Sequence, residues 1–270
     1  MHPILIGSPD GFAIRSYGFM LALSFMIGIW LATRRAKKIG VDPNQIMDLS
    51  IWIIIAAIVG SRLLYVIYHL DEFKGRWTAT FNPFQGGQVG IGGLTMLGGV
   101  VLAIITAYFY MRRKKMSFLL TADVMIPSLA LGIFLTRIGC FLNGCCYGLK
   151  TDLPWGVTFT NEYCAVANEF MNVPLHPTQL YAAFYGLLIL GVVLFAEKYK
   201  KFDGMLFFIF LIFYGLSRFL VEFVRYQDNY FAIIGGVKIT INQVISLLMI
   251  IAGAAFLVIK NNKIKKSKKV

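Results

Sequence analysis

The chain has 270 residues, 58% of them hydrophobic and 14% charged, with a mean hydropathy of +0.70, and this is too little charge for a soluble domain of its length. A formal net charge of +13 raises nucleic acid as a partner, but the basic residues gather at the ends of apolar runs, which is the topogenic pattern and leaves no nucleic-acid surface. The composition is that of an all-α, polytopic membrane protein, with several runs approaching the ~20 apolar residues that cross a bilayer.

The chain opens on a short polar segment with Asp10 and Arg15, without the charged region, short apolar core and small-residue cleavage site of a removable signal peptide. Seven spans are expected: 17–33, 49–69, 94–110, 118–136, 179–196, 205–224 and 241–259. The first ends in Arg34, Arg35, Lys37 and Lys38, and the third in Arg112, Arg113, Lys114 and Lys115. Lys198, Lys200 and Lys201 follow the fifth, and a polylysine run from Lys260 to Lys269 follows the seventh. These clusters fall on alternate loops and hold most of the 26 basic residues, so the positive-inside rule places the N-terminus outside and the C-terminus inside. Residues 1–270 read as a single integral membrane domain. The longer outer segments are 69–93, 140–176 and 225–238, and 140–176 is expected to form a small extracytoplasmic cap.

Paired glycines recur before and within the third span: Gly86-Gly87, Gly92-Gly93 and Gly98-Gly99. In a membrane this suits a re-entrant or close-packed helix start, where backbones meet. Four cysteines (Cys140, Cys145, Cys146, Cys164) fall on the expected outer side. Either Cys164 pairs with one of the others in an oxidising compartment, or all are free small apolar side chains. Zinc is a weaker alternative, because no histidine lies at ligand spacing, so neither a metal site nor a cofactor is assigned.

Polar residues inside apolar runs are functional candidates by default. Arg62 lies in the second span and Asp123 in the fourth. Tyr214, Arg218, Glu222 and Arg225 share one face in and after the sixth. The stretch Arg137-Ile-Gly-Cys-Phe-Leu-Asn143-Gly-Cys145-Cys146-Tyr147-Gly148 sits where the fourth span should leave the bilayer. Its guanidinium, amide and closely spaced glycines suit an oxyanion. A snorkelling arginine followed by a turn, and a bundle-ordering Arg–Glu pair, are the structural alternatives. His176-Pro177-Thr178-Gln179 opens the fifth span, with proline natural at a helix start and Thr178 or His176 available as a cap.

Lined up in order, these motifs resemble the prolipoprotein diacylglyceryl transferase family of bacterial membrane enzymes. The resemblance runs from Ile14-Arg15-Ser16-Tyr17-Gly18 to about Asp228. It includes Gly60-Ser61-Arg62, Asp123 with Pro127, the Arg137–Gly148 stretch, His176-Pro-Thr-Gln-Leu-Tyr181 and Tyr214-Gly-Leu-Ser-Arg218…Glu222…Arg225. It implies seven membrane helices and a transfer of the diacylglyceryl group from phosphatidylglycerol to the lipobox cysteine thiol of a preprolipoprotein, releasing glycerol 1-phosphate. The expected setting is the bacterial inner membrane, with the active site near the extracytoplasmic face. By position, Arg137 and Arg218 match the family's phosphate-handling arginines. Tyr17, Asn143, Gly148, Tyr214 and Glu222 match residues around its lipid cavity, and His176 and Gln179 match its His-Pro-Ser/Thr-Gln motif. The reading that follows assigns Arg137, Arg218, Glu222 and His176 to catalysis, and Tyr17, Arg62, Asn143, Gly148, Gln179, Tyr214 and Arg225 to substrate binding.

The chain departs from the family at Leu97, where a histidine or tyrosine is frequent (Ile91 in the shifted pairing), and at Cys140 and Cys145, which replace an asparagine and a glutamate. Two rival functions follow from the departures and the charged cavity: a relative that moves the same lipid group to another acceptor, and a small transporter. Inverted repeats, the signature of transport, are not visible in the sequence.

Overall fold

The apolar runs form helices, and in a computed structural model seven helices among the described residues are long and apolar enough to cross a membrane. Residues 1–8, 13–73, 84–85, 88–89, 93–227, 231–234 and 237–267 are described; Gly86, Gly87, Ile91 and Gly92 lie outside them, as does Asp228. The helices are α1 (Ser16–Ile39), α2 (Pro43–Tyr68), the single turn α3 (Leu70–Phe73), α4 (Met96–Arg113), α5 (Phe118–Asn143), α6 (Thr178–Glu197), α7 (Met205–Glu222) and α8 (Ile241–Ser267). The chain is a multi-pass membrane protein. Its basic clusters sit at or just after the C-terminal ends of α1, α4, α6 and α8, where they also complement the helix dipoles. Several boundaries run past the expected ones. A 26-residue helix such as α5 spans about 39 Å, more than the ~30 Å hydrocarbon core requires.

The chain divides into two compact units, with α1 contributing to both. One unit comprises residues 6–14 and 29–121 and is built on α2 against α4. Asp42 caps α2 by accepting from Asn44 N at 2.9 Å, and Pro43 occupies the first turn, where its missing N–H costs nothing. The Gly98-Gly99 pair makes the close-packed helix start expected of it. A Cβ on Gly98 would overlap the Gly60 carbonyl and the Leu64 side chain, and one on Gly99 would overlap Ser61. Thr95 extends the contact, its N and Oγ1 both donating to Ser61 O at 3.1 and 3.0 Å. Gly98→Val therefore forces the α2 and α4 backbones apart. An overpacking cost of about 3 kcal/mol is expected, read as a lower thermal unfolding midpoint in detergent; an unchanged midpoint would contradict this packing.

The second unit comprises residues 1–5, 15–28 and 122–270. Ile126 and Ala130 of α5, Ile189 and Val193 of α6, and Leu206 and Phe210 of α7 form its helical core. Asp123 closes one end of this core. Its carboxylate is 1% exposed and accepts from Gly204 N at 2.8 Å and Phe207 N at 3.0 Å, while Lys200 Nζ lies 2.9 Å away. An α5 side chain thus satisfies the orphan donors that open α7. The salt bridges to Asp123 and Asp203 outweigh burial and hold the Lys200 ammonium above its usual range. Asp123→Ala strips both donors and the cation of their partner. A loss of about 3 kcal/mol is expected, read as a lower thermal unfolding midpoint; an unchanged midpoint would contradict this role.

Candidate active site

The candidate site is built at the other end of α5. Arg137 lies inside this helix, about 9 Å before its last residue, Asn143. Here α1 crosses closely: a Cβ on Gly139 would fall 2.9 Å from Met20 Cβ and 3.4 Å from Tyr17 Cα. Beyond Asn143 the chain reverses. Gly144 takes φ +79° and Cys146, unusually for a residue with a side chain, takes φ +62°. The amide of Cys145 donates back to Cys140 O at 3.1 Å. The reversal brings the sulfurs of Cys140, Cys145 and Cys146 within 4.8 Å of one another. Tyr17 and Arg137 are electrostatic neighbours of this cluster. All four cysteines are free thiols.

The turn is clamped from two sides by backbone. Gly148 N donates to His176 O at 3.0 Å, His176 N to Leu149 O at 2.9 Å, and Leu149 N to Val224 O at 2.9 Å. A side chain on Gly148 has no room, since its Cβ would lie 2.6 Å from His176 Cβ and 2.7 Å from His176 O. The His176-Pro-Thr-Gln motif completes the clamp. Gln179, fully buried, donates Nε2 to Cys145 O at 2.8 Å, and Thr178 Oγ1 donates to Cys146 O at 2.7 Å. Thr178 therefore does not cap its own helix; Pro177 occupies the cap position without a side-chain bond. The His176 ring is half-buried, with Nδ1 3.3 Å from Tyr181 Oη, which also accepts from Trp155 Nε1 at 2.8 Å. Behind the clamp a small apolar layer of Tyr147, Phe159, Cys164, Val166, Phe170 and Leu175 supports the loop. The strand Val157–Thr158 pairs antiparallel with Pro174–Leu175 beside it.

The end of α7 supplies the second cationic group. Arg218 Nη2 lies 3.2 Å from Glu222 Oε2 without the alignment of a hydrogen bond. The other Glu222 oxygen accepts from Thr240 Oγ1 at 2.9 Å, Asn242 Nδ2 at 2.8 Å and Gln227 Nε2 at 2.9 Å. This carboxylate, 4% exposed, is fixed by three neutral donors and presents its free edge to the guanidinium. Arg218 has Arg225, Tyr214 and Arg137 as further charged or phenolic neighbours. Two arginines from different helices, with Arg225 beside them, therefore lie within electrostatic range of one another. Only one carboxylate, Glu222, faces them among the groups that shape Arg218.

The thiols respond to that field. Cys146 is held well below the usual thiol range, chiefly by the neighbouring Cys140 and Cys145 thiols, with Arg225 and Arg137 adding to the effect; the Cys145 thiol itself donates to Cys140 O at 3.7 Å. Cys164, in the apolar layer, is pushed up by burial. Beside the site an apolar groove of about 360 Å³ runs between α6 and α7, lined by Leu180, Tyr181, Phe184, Tyr185, Leu220, Val221 and Val224.

Of the residues singled out from the sequence, Tyr17, Arg137, Asn143, Gly148, His176, Gln179, Tyr214, Arg218, Glu222 and Arg225 belong to this one unit. Asn143 contributes an amide beside Cys145. Gln179 and the backbone of Gly148 act on the loop rather than on open space. Arg62 belongs to the other unit, where it is 4% exposed, donates to Gly93 O at 3.2 Å and lies over Tyr65 and Phe73. Leu97, also in that unit, is 60% exposed. Sequence reasoning missed Gln227, and also Thr240 and Asn242, although for these two the polar run opening the last span carried the signal. It also missed the convergence of three thiols, which depends on the reversal at Gly144.

Fold and site together define a seven-span membrane protein with a cationic, thiol-bearing site at the C-terminal ends of α5 and α7. A family model described as prolipoprotein diacylglyceryl transferase matches residues 3–259. Relatives named phosphatidylglycerol–prolipoprotein diacylglyceryl transferase include one from Clostridium tetani, 35% identical over 94% of this chain and 95% of the relative. Another from Finegoldia magna is 33% identical over 95% of both chains, and one from Thermosynechococcus vestitus is 36% identical over 89% and 86%. The chain belongs to the prolipoprotein diacylglyceryl transferase family.

Proposed function

We propose that the chain transfers the diacylglyceryl group of phosphatidylglycerol to the lipobox cysteine thiol of preprolipoproteins, releasing glycerol 1-phosphate. The reaction takes place in the bacterial inner membrane, with the site facing the extracytoplasmic side, the N-terminus outside and the C-terminus inside. The observation that carries this reading is the electrostatic proximity of Arg137 and Arg218, two guanidiniums from separate helices with Arg225 beside them; one headgroup phosphate is placed, on this reading, in the space between them. The acceptor sulfur attacks the glyceryl carbon that bears the phosphate; the S–C bond forms as the C–O bond breaks, and the electron pair leaves on the phosphate oxygen. Charge grows on that oxygen, and two fixed guanidiniums stabilise it where it develops. Glu222 is the positioning residue for Arg218, and Arg225 and Tyr214 border the same space. His176 borders the loop and is available to a proton at its ring. The groove between α6 and α7 suits an acyl chain.

The test is complementation of a bacterial strain depleted of its own diacylglyceryl transferase. Restored growth with lipid-modified, mature-size lipoprotein supports the assignment; unmodified precursor accumulating beside well-expressed protein overturns it.

A further inference from the structure

We infer that Cys140, Cys145 and Cys146 form a three-thiolate zinc site whose open fourth position takes the acceptor thiol. This deepens the function proposed above and rests on it. Three sulfurs lie within 4.8 Å of one another. A tetrahedral zinc with Zn–S near 2.3 Å places its sulfurs about 3.8 Å apart, so closing on the ion needs a shift of about 1 Å at most. The backbone that carries them is already fixed: Gln179 holds the Cys145 carbonyl, Thr178 holds the Cys146 carbonyl, and the Cys145 amide is tied to Cys140 O. Cys146 keeps a left-handed backbone, φ +62°, which costs a residue with a side chain about 1 kcal/mol or more. That conformation lets consecutive cysteines contribute to one cluster.

The surroundings suit a metal–thiolate. Zinc with three thiolates carries a net charge of −1. Arg137, within hydrogen-bonding reach of Cys146, and Arg225 supply the compensating charge and the outer-shell donors. Among the described residues the group has no fourth histidine, cysteine or carboxylate member. Three protein ligands and one open position make the pattern of a catalytic rather than a structural zinc. Cys145 and Cys146 are partly exposed, so the open side is reachable.

The chemistry meets a need of the reaction. A free thiol near pH 7 is only a few per cent ionised, whereas a thiol bound to zinc is deprotonated outright. The acceptor R–SH displaces water from the ion, releases its proton to solvent and becomes a zinc-bound thiolate. Its sulfur then attacks the glyceryl carbon, and the C–O electron pair departs on the phosphate held by Arg137 and Arg218. The neutral thioether is a poor ligand, so it leaves and water returns.

The test uses the full-length protein, reduced and stripped of metal, and titrated with Co²⁺. One equivalent should give thiolate-to-cobalt charge-transfer absorption, weakened at least 10-fold in Cys145→Ser or Cys146→Ser. Adding a lipobox peptide should strengthen that absorption as a fourth thiolate binds, and a peptide with serine for cysteine should not. Transfer by stripped protein should fall at least 10-fold and return with one equivalent of Zn²⁺. No thiolate absorption, or no response to the peptide thiol, overturns the site, and the peptide readout needs no cysteine variant to fold. Full-rate transfer by metal-free protein overturns the acceptor role while leaving the proposed function standing. A cobalt site that responds to the peptide without any transfer from phosphatidylglycerol supports the site and sinks the transferase reading instead.

Discussion

Arg137→Ala should abolish transfer of labelled diacylglyceryl to a lipobox peptide, with a loss of about 10³-fold or more. The size follows from where the charge sits. Arg137 is held inside α5 by the close approach of α1 at Gly139, with Tyr17, Tyr214 and the cysteine cluster around it. A guanidinium so placed is pre-oriented, and its contribution to a departing phosphate is not recovered by water filling the space. Arg137→Lys keeps the charge but loses the planar fork, so it should recover a small part of the rate at most. Folding should survive both changes, because no carboxylate is stranded among the electrostatic neighbours of Arg137 and Cys146 keeps Arg225 and the other two thiols beside it. Near-normal transfer by the alanine variant, at unchanged unfolding midpoint, would remove Arg137 from the mechanism.

Glu222→Ala should damage both stability and activity. The buried carboxylate takes three hydrogen bonds on one oxygen and faces Arg218 with the other. Removing it strands Thr240 and Asn242, ties between α7 and the start of α8, beside an uncompensated guanidinium; a cost of about 3 to 5 kcal/mol is expected. Glu222→Gln separates the two effects. The amide oxygen can still accept from those donors, so most of the stability should return, while the orienting charge on Arg218 is gone and transfer should stay about 10²-fold down. Unfolding midpoint and transfer rate, measured together, decide it. Full activity in the glutamine variant would make this pair a purely structural tie.

The membrane class and the seven spans were legible because they rest on long apolar runs and on charge asymmetry, which are local properties of the chain. The pairing of Arg218 with Glu222 was legible for a similar reason: a four-residue spacing fixes it on one helical face. The role of Asp123 was not. Its partners, Gly204 and Phe207, are about 80 residues away, and a helix cap supplied from another helix leaves no mark at either place. Thr178 shows the same limit. Its sequence position suggests a cap for α6, yet its hydroxyl holds the signature turn at Cys146 instead. The cysteine spacing argues against a metal when read as a linear pattern, but the reversal at Gly144 makes linear spacing a poor guide to distance. Arg62 shares the sign and the span-internal position of Arg137, and only the fold distinguishes them by giving Arg62 a backbone carbonyl and two aromatic rings within its own unit.

The most direct test of the account is mass spectrometry of a lipobox peptide incubated with the purified protein in phosphatidylglycerol vesicles. The expected result is a thioether-linked diacylglyceryl adduct on the cysteine, with an equal amount of glycerol phosphate released. No adduct should form on a serine peptide or with Arg137→Ala. An unmodified cysteine peptide beside folded protein, or release of free fatty acid in place of glycerol phosphate, would contradict it.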